Sequence, residues 1–145
     1  MCHVELALRG TYSSSVAVSQ AKSAALRAVE LDPQMIDSHS CLGCAQALDW
    51  DWAGAEKSFR RALSLGAHVG TSRQYALVLT AMRRFDEASH HLEMVQRIDP
   101  FSFRLKIARA KFLYLTRRYE EGVRQVSEPL IYGPFPLKHA STLHL

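Results

Sequence analysis

The sequence lacks the features that mark membrane-spanning and disulfide-stabilised chains. Among its 145 residues there is no apolar run long enough for a transmembrane helix. Its 3 cysteines cannot all pair, which favours a reducing compartment over a disulfide scaffold. The first residues also lack a basic start followed by a long apolar block, so no signal peptide is expected. These absences together predict a cytoplasmic protein that does not associate with a membrane.

Turn-forming residues and strand patterns are also scarce. The chain contains only 5 prolines and 7 glycines, and β-branched residues rarely alternate with polar ones. Hydrophobic residues make up 48% of the chain, which is enough for a core and excludes wholesale disorder. What remains is a set of long stretches with helical periodicity, and these predict an all-α fold.

Motifs of common enzymes and metal sites are missing as well. No HExxH motif, Gly-rich phosphate loop or GxSxG elbow occurs, and the 7 histidines show no metal-ligand spacing. Cys41 and Cys44 form a CxxC pair, but zinc needs further ligands, and a redox pair belongs at a helix N-terminus beside a strand. We interpret this mid-helix pair as two small side chains near a helix interface. The sequence therefore predicts no enzyme activity, no cofactor and no metal.

What the chain does contain is a small residue that recurs at nearly constant spacing. Ala21, Ala55, Ala88 and Gly122 are 34, 33 and 34 residues apart, each early in a predicted helix. A period in this range indicates stacked helical pairs rather than a single globular core. The pattern predicts four helical hairpins, which pair residues 3–14 with 18–31, 35–48 with 53–65, 70–83 with 86–98, and 102–116 with 119–130.

Residues that start or stop helices fix the boundaries between these copies. Pro33 and Pro100 end hairpins because proline cannot continue a helix, and Gly66 is a plausible left-handed stop. Asp86 and Glu87 suit a helix N-terminus, where carboxylates meet unpaired N–H groups. The predicted repeats are about 1–33, 34–67, 68–101 and 102–134, and residues 135–145 begin a further helix.

The copies resemble the tetratricopeptide repeat (TPR) family. Its pattern has a Leu-Gly pair and an aromatic residue on the first helix, then Ala, a large apolar residue and Ala on the second, followed by Pro. The second copy matches with Leu42, Gly43, Ala55, Phe59 and Ala62, the third with Tyr75, Ala76, Leu79, Ala88, Leu92, Val95 and Pro100, and the fourth more loosely with Ala110, Leu113, Gly122, Val126 and Pro134. The divergent first copy lacks the Leu-Gly pair. The resemblance implies one domain over residues 1–145, a right-handed α-solenoid of about four hairpins plus a partial fifth.

This resemblance implies a protein–protein interaction scaffold that binds a peptide or partner segment in a concave groove. The first helix of each hairpin lines that groove, and the register places nine candidates on it: Ser40, Cys44, Arg73, Gln74, Leu77, Arg104, Ile107, Lys111 and Tyr114. Arg73, Arg104 and Lys111 would give the groove a positive floor, which favours a segment with carboxylates. The alternative is that these side chains are simply solvated.

Charge and resemblance leave two regulatory interpretations open. The segment 50–62 resembles TPR regions of bacterial multidomain transcriptional regulators. An alternative is a DNA- or RNA-associated regulator module that uses the basic C-terminal half, since residues 73–145 carry 12 Lys/Arg against 7 Asp/Glu. Arg83-Arg84 and Arg117-Arg118 fall in equivalent predicted turns and would share one edge. That row is short and has no aromatic platforms, so nucleic acid is the less favoured partner and solvated turns are the simplest interpretation.

Two further features depart from a regular repeat array. Lys106 and Arg109 fall where the family buries apolar residues, so either the fourth repeat packs differently or their stems pass a neighbour to reach water. Neither end of the chain supplies a polar capping helix, which such arrays need for solubility. We therefore expect a fragment of a longer protein, or a homo-oligomer formed through the open ends.

Overall fold

The computed structural model describes residues 14–131. This part of the chain contains seven α-helices and no strand: α1 (Ser14–Leu31), α2 (Ile36–Leu48), α3 (Trp52–Leu65), α4 (Val69–Ala81), α5 (Phe85–Ile98), α6 (Phe103–Leu115) and α7 (Tyr119–Ile131). The predicted all-α class is confirmed for these residues. None of the seven helices combines the length and apolarity needed to cross a membrane. The predicted helix over 3–14, apart from its last residue, and the stretch 135–145 lie outside the described residues.

The helix boundaries differ from the predicted ones in two places. α1 already includes residues 14–17, which the sequence pattern places between two helices. Gly66 follows α3 as predicted, but its φ of 167° is extended backbone and not the left-handed region. His68, the residue before α4, is also extended, with φ −131°. No left-handed stop is therefore formed at Gly66.

Three other turns do contain left-handed residues, and none of these is glycine. Trp50 after α2, Arg83 after α4 and Arg117 after α6 have φ values of 62°, 61° and 63°. In each turn the left-handed residue donates its N–H to the carbonyl three residues back, and the next N–H bonds five residues back, as in the 2.9 Å bond from Arg84 N to Leu79 O. This Schellman arrangement pairs carbonyls that a helix end leaves unsatisfied. The three helix pairs α2–α3, α4–α5 and α6–α7 are therefore joined by the same turn.

Contacts between helices follow the order of the chain. Each helix packs on the next, and the first helices of these pairs also pack on one another, α2 on α4 and α4 on α6. The three hairpins therefore lie side by side with their first helices in direct contact.

Matched small and large side chains fill the inside of each hairpin. In α2–α3, a Cβ added to Gly43 would lie 2.8 Å from the ring of Phe59, and that ring is fully buried. In α4–α5 the corresponding residues are Ala76 and Leu92, which share one core cluster. Ala76 is larger than Gly43, and Leu92 is correspondingly smaller than Phe59. Close packing is therefore retained in both hairpins.

The core continues from one hairpin to the next. The ring of Phe59 stacks on Tyr75 of α4, with centroids 5.1 Å apart and an interplanar angle of 20°. Both belong to a cluster with Leu79 and Ala88. Phe112 of α6 packs against this cluster and also against the one that contains Leu92. Apolar contacts therefore run without a break from α3 to α6.

A buried polar contact also fixes α2 against α4. The hydroxyl oxygens of Ser40 and Thr71 are 2.6 Å apart, and Thr71 is fully buried. Ser40 Oγ also donates to the Ile36 carbonyl oxygen at 3.1 Å. His68 Nδ1 accepts from the Thr71 N–H at 3.2 Å and lies 3.0 Å from its hydroxyl oxygen. Because buried hydroxyls are costly without partners, this network favours one position of the two helices.

Candidate functional site

The groove candidates on α6 lie on one exposed face. Arg104, Ile107, Lys111 and Tyr114 are separated by three, four and three residues, a spacing that places them along one side of a helix. All four are exposed, and Tyr114 is 66% exposed. Its ring lies 5.5 Å from that of Tyr119 on α7, which braces it against the second helix of the hairpin.

The candidates on α4 are less accessible. Arg73, Gln74 and Leu77 are half-buried, and Leu77 packs against the core cluster that contains Leu92. Since α4 packs directly on α6, the two sets of candidates lie on neighbouring helices. Together they form a half-buried strip on α4 beside an exposed strip on α6.

The two candidates on α2 lie closer to the core. Ser40 is 3% exposed, and its hydroxyl is engaged with Thr71 in the α2–α4 contact. Cys44 is half-buried and packs against the cluster around Phe59 and Tyr75. Cys41 is also half-buried in the middle of α2. The register assigns helix faces from spacing alone, and it does not reveal that the packing of α2 on α4 encloses Ser40.

Lys106 and Arg109 are half-buried on α6 rather than enclosed in the core. Long aliphatic stems allow such side chains to pack along apolar neighbours while the charged group stays in water. Full burial, which would require a carboxylate partner, does not occur at either position. α6 carries four basic residues and no acidic one in its sequence FRLKIARAKFLYL.

Charged side chains at the turn before α5 link two hairpins. Arg84 donates to both carboxylate oxygens of Glu87 at 2.6 Å, and its Nη1 donates to Glu56 of α3 at 2.9 Å. Hydrogen bonding from Arg84 is the main reason that the pKa of Glu56 lies below its usual value. The turn before α7 repeats part of this arrangement, because Arg118 donates to both oxygens of Glu121 at 2.9 and 2.6 Å.

These two turns border a surface pocket that the sequence pattern does not predict. The pocket has a volume of about 350 Å³ and is lined by Thr80, Ala81, Arg83, Phe85, Leu115 and Arg117. The second arginine of each pair, Arg84 or Arg118, is neutralised by a glutamate. Within residues 14–131, no hydrogen bond or ion pair engages the exposed guanidinium of Arg83 or Arg117. The 34-residue spacing of the two Arg-Arg pairs indicated a shared edge but not this division of roles.

A partly buried histidine, His91, lies on α5 of the α4–α5 hairpin. The ring of His91 packs edge-on against Tyr75, with centroids 5.0 Å apart, and its buried Nδ1 has no partner among the described residues. Burial, followed by the neighbouring His90, lowers the pKa of His91, while Glu87 opposes the shift. The described residues contain no cluster of three His, Cys, Asp or Glu side chains that would hold a metal ion.

Sequence comparison identifies no family and no curated relative for this chain. A scan against protein-family models finds no match, and a search of curated proteins finds none either. The function of this chain is therefore inferred from its own contacts, burial and charges.

Proposed function

We propose that this chain is a TPR-type α-solenoid that acts as a protein–protein interaction scaffold and binds a peptide segment along α4 and α6. The observation that carries the proposal is the direct packing of α2 on α4 and of α4 on α6. Such packing sets the outer faces of successive first helices side by side. Stacked helical pairs offer extended surfaces of this kind to their partners.

The repetition of local structure supports the assignment to a repeat array. The left-handed turn residues Trp50, Arg83 and Arg117 recur at intervals of 33 and 34 residues. The small residues that recur in the sequence pattern also share their burial. Ala55 and Ala88 are fully buried, and Gly122 is buried too. One spacing thus accounts for both the turns and the close approach of the two helices in each hairpin.

The charge of α6 favours an acidic partner segment. Arg104 and Lys111 flank Ile107 on the exposed face, and Tyr114 continues it. Because the helix has no acidic residue of its own, carboxylates of a bound segment would relieve repulsion among its cations. A segment that alternates carboxylates with apolar side chains matches this face.

The resemblance of residues 50–62 to TPR regions of bacterial transcriptional regulators extends the proposal. On this view the array is the interaction part of a cytoplasmic regulatory protein, and the acidic segment belongs to a partner protein. The solvent-exposed Trp50 lies in this segment, with its ring 5.6 Å from that of Trp52.

Fluorescence anisotropy with two labelled peptide pools of equal length tests the proposal. We expect the acidic pool to bind and the basic pool not to bind. The double variant Lys111→Gln/Tyr114→Ala should weaken binding of the acidic pool, whereas the matched control Lys57→Gln, exposed on α3, should not. Equal affinity for both pools would remove the acidic-segment proposal. Steeply salt-dependent binding of a single-stranded oligonucleotide in place of either pool would favour a nucleic-acid module instead.

A further inference from the structure

The pocket between the turns before α5 and α7 shares no residue with the groove candidates. We propose that it is a separate recognition site for an acidic protein segment in which one bulky apolar residue stands between two carboxylates. The site does not depend on peptide binding in the groove. It is carried by an apolar cavity and by two arginines, one from each of the turns that border it.

The cavity wall suits one bulky apolar side chain. Ala81, Phe85 and Leu115 contribute apolar surface to the pocket, and Leu115 is 51% exposed. Phe85 packs edge-on against Phe112, with ring centroids 6.4 Å apart. Because Phe112 packs against the core clusters, this contact holds the Phe85 ring in place. A volume of about 350 Å³ is at the small end of the range for ligand pockets. Such a space takes a single large side chain rather than an extended apolar ligand.

The charged residues that line the pocket indicate which groups should flank the apolar side chain of the bound segment. Arg84 and Arg118 are each paired with a glutamate, so the positive charge that remains at this edge belongs to Arg83 and Arg117. A guanidinium binds a carboxylate through two parallel hydrogen bonds. Since one arginine comes from each turn, two carboxylates that flank an apolar residue match the site better than a single terminal carboxylate.

The backbone at both arginines is in a conformation that favours glycine. Their φ values are 61° and 63°, where the Cβ of any other residue crowds the backbone. Glycine would relieve this crowding, yet both turns place a long cation at the rim of one pocket. The equivalent turn residue Trp50 has the same conformation, so the shared Schellman turn positions both arginines, and the specificity of the site comes from their side chains and the cavity.

A protein segment fits the pocket better than nucleic acid does. A sugar–phosphate backbone would satisfy the two guanidinium groups but would leave the apolar wall of Phe85 and Leu115 uncovered. Single-strand binders use exposed aromatic faces on which bases stack, whereas Phe85 is half-buried and packs against Phe112.

Anisotropy titrations of the full chain with three labelled heptapeptides test this site. The probe Gly-Ser-Glu-Phe-Glu-Ser-Gly is compared with one version that carries Gln in place of both Glu and one that carries Ala in place of Phe. We expect the probe to bind about tenfold more tightly than either version, and Arg83→Gln or Arg117→Gln to weaken it about tenfold each. The matched control Arg61→Gln, exposed on α3, should leave the affinity unchanged, and circular dichroism should show equal helix content in all variants.

The outcomes separate this proposal from the groove proposal. Equal affinity for the three peptides, or an equal loss in Arg61→Gln and Arg83→Gln, would overturn the pocket proposal. Displacement of the probe by a single-stranded oligonucleotide at matched charge would overturn the choice of occupant. If Lys111→Gln/Tyr114→Ala abolishes probe binding while Arg83→Gln does not, the peptide binds in the groove and only the pocket proposal fails. If Arg83→Gln and Arg117→Gln weaken binding of both the probe and the acidic pool, whereas Lys111→Gln/Tyr114→Ala weakens neither, the pocket proposal stands and the groove proposal fails.

Discussion

The carboxylate of Glu56 on α3 accepts a 2.9 Å hydrogen bond from Nη1 of Arg84, which lies in the turn before α5. The same carboxylate oxygen accepts from Arg60 at 2.6 Å and from the Tyr75 hydroxyl at 3.4 Å. Both members of the Glu56–Arg84 pair are largely shielded from solvent, with side chains 21% and 30% exposed. This pair joins the second helix of one hairpin to the turn of the next, so it couples neighbouring hairpins through charge as well as through apolar contact.

Replacement of Glu56 by Gln should lower the free energy of unfolding by about 1–2 kcal/mol, because the charge-assisted bond to a partly buried arginine is lost. Because the pKa of Glu56 is lowered in the folded chain, its stabilising effect is present above its unfolded pKa. That effect disappears as the pH falls through the lowered value. Urea denaturation at pH 7 and at acidic pH measures both effects. The exposed Glu30→Gln serves as control, and equal losses in the two variants would contradict the assignment.

Two Gly→Ala substitutions should have opposite effects. At Gly43 the new Cβ would lie 2.8 Å from the buried ring of Phe59, which cannot retreat because it stacks on Tyr75. Overpacking of about 1–3 kcal/mol should therefore exceed the roughly 1 kcal/mol that Ala gains over Gly in a helix. At Gly122 the nearest atoms would be 3.4 and 3.5 Å away, so Gly122→Ala should raise stability by about 0.5–1 kcal/mol. Denaturation curves that shift in the same direction for both variants would contradict the packing described.

Truncation of the large residue inside a hairpin should be severe. Phe59→Ala should cost about 3–5 kcal/mol, and Leu92→Ala should cost about 2–5 kcal/mol, because each leaves a cavity in a core that extends across hairpins. Chemical denaturation of each variant measures the loss directly. A variant that melts like the wild type would show that the repeat register is misplaced.

His91 should make the chain less stable in mild acid. Its pKa is lowered in the folded state by burial, so the unfolded chain binds a proton more readily as the pH falls below about 6.5. The unfolding free energy should therefore decrease from pH 7.5 to 5.5, and His91→Phe should reduce that decrease while keeping the ring contact with Tyr75. The neighbouring His90→Phe serves as control, since His90 is exposed. An unchanged pH dependence in His91→Phe would refute this role.

Helix order and register could be predicted from the sequence because they depend on local spacing. Ala55, Phe59, Ala88 and Leu92 are all buried, as expected for two copies of one hairpin. The α5 helix ends at Ile98, just before the Asp-Pro pair that predicts a stop. These features need no knowledge of which surfaces meet.

Features that depend on contacts between distant residues could not be predicted in the same way. The preference of glycine for left-handed turns predicts such a turn at Gly66, but Gly66 is extended. The left-handed conformation occurs instead at residues such as Arg83, which the same preference does not predict. The enclosure of Ser40 depends on Thr71, which lies 31 residues away on another helix. The pocket requires Arg83 and Arg117 to line one cavity from two hairpins, and spacing along the sequence does not show that a cavity forms between them.

Amide chemical-shift mapping of the isotope-labelled chain, titrated with the acidic peptide pool, tests the central proposal most directly. The groove proposal predicts perturbations along 104–114 on α6 and 73–77 on α4, with little change on α3 and α5, and no response to the basic pool. Perturbations confined to α3 and α5, or equal responses to the acidic and basic pools, would contradict it.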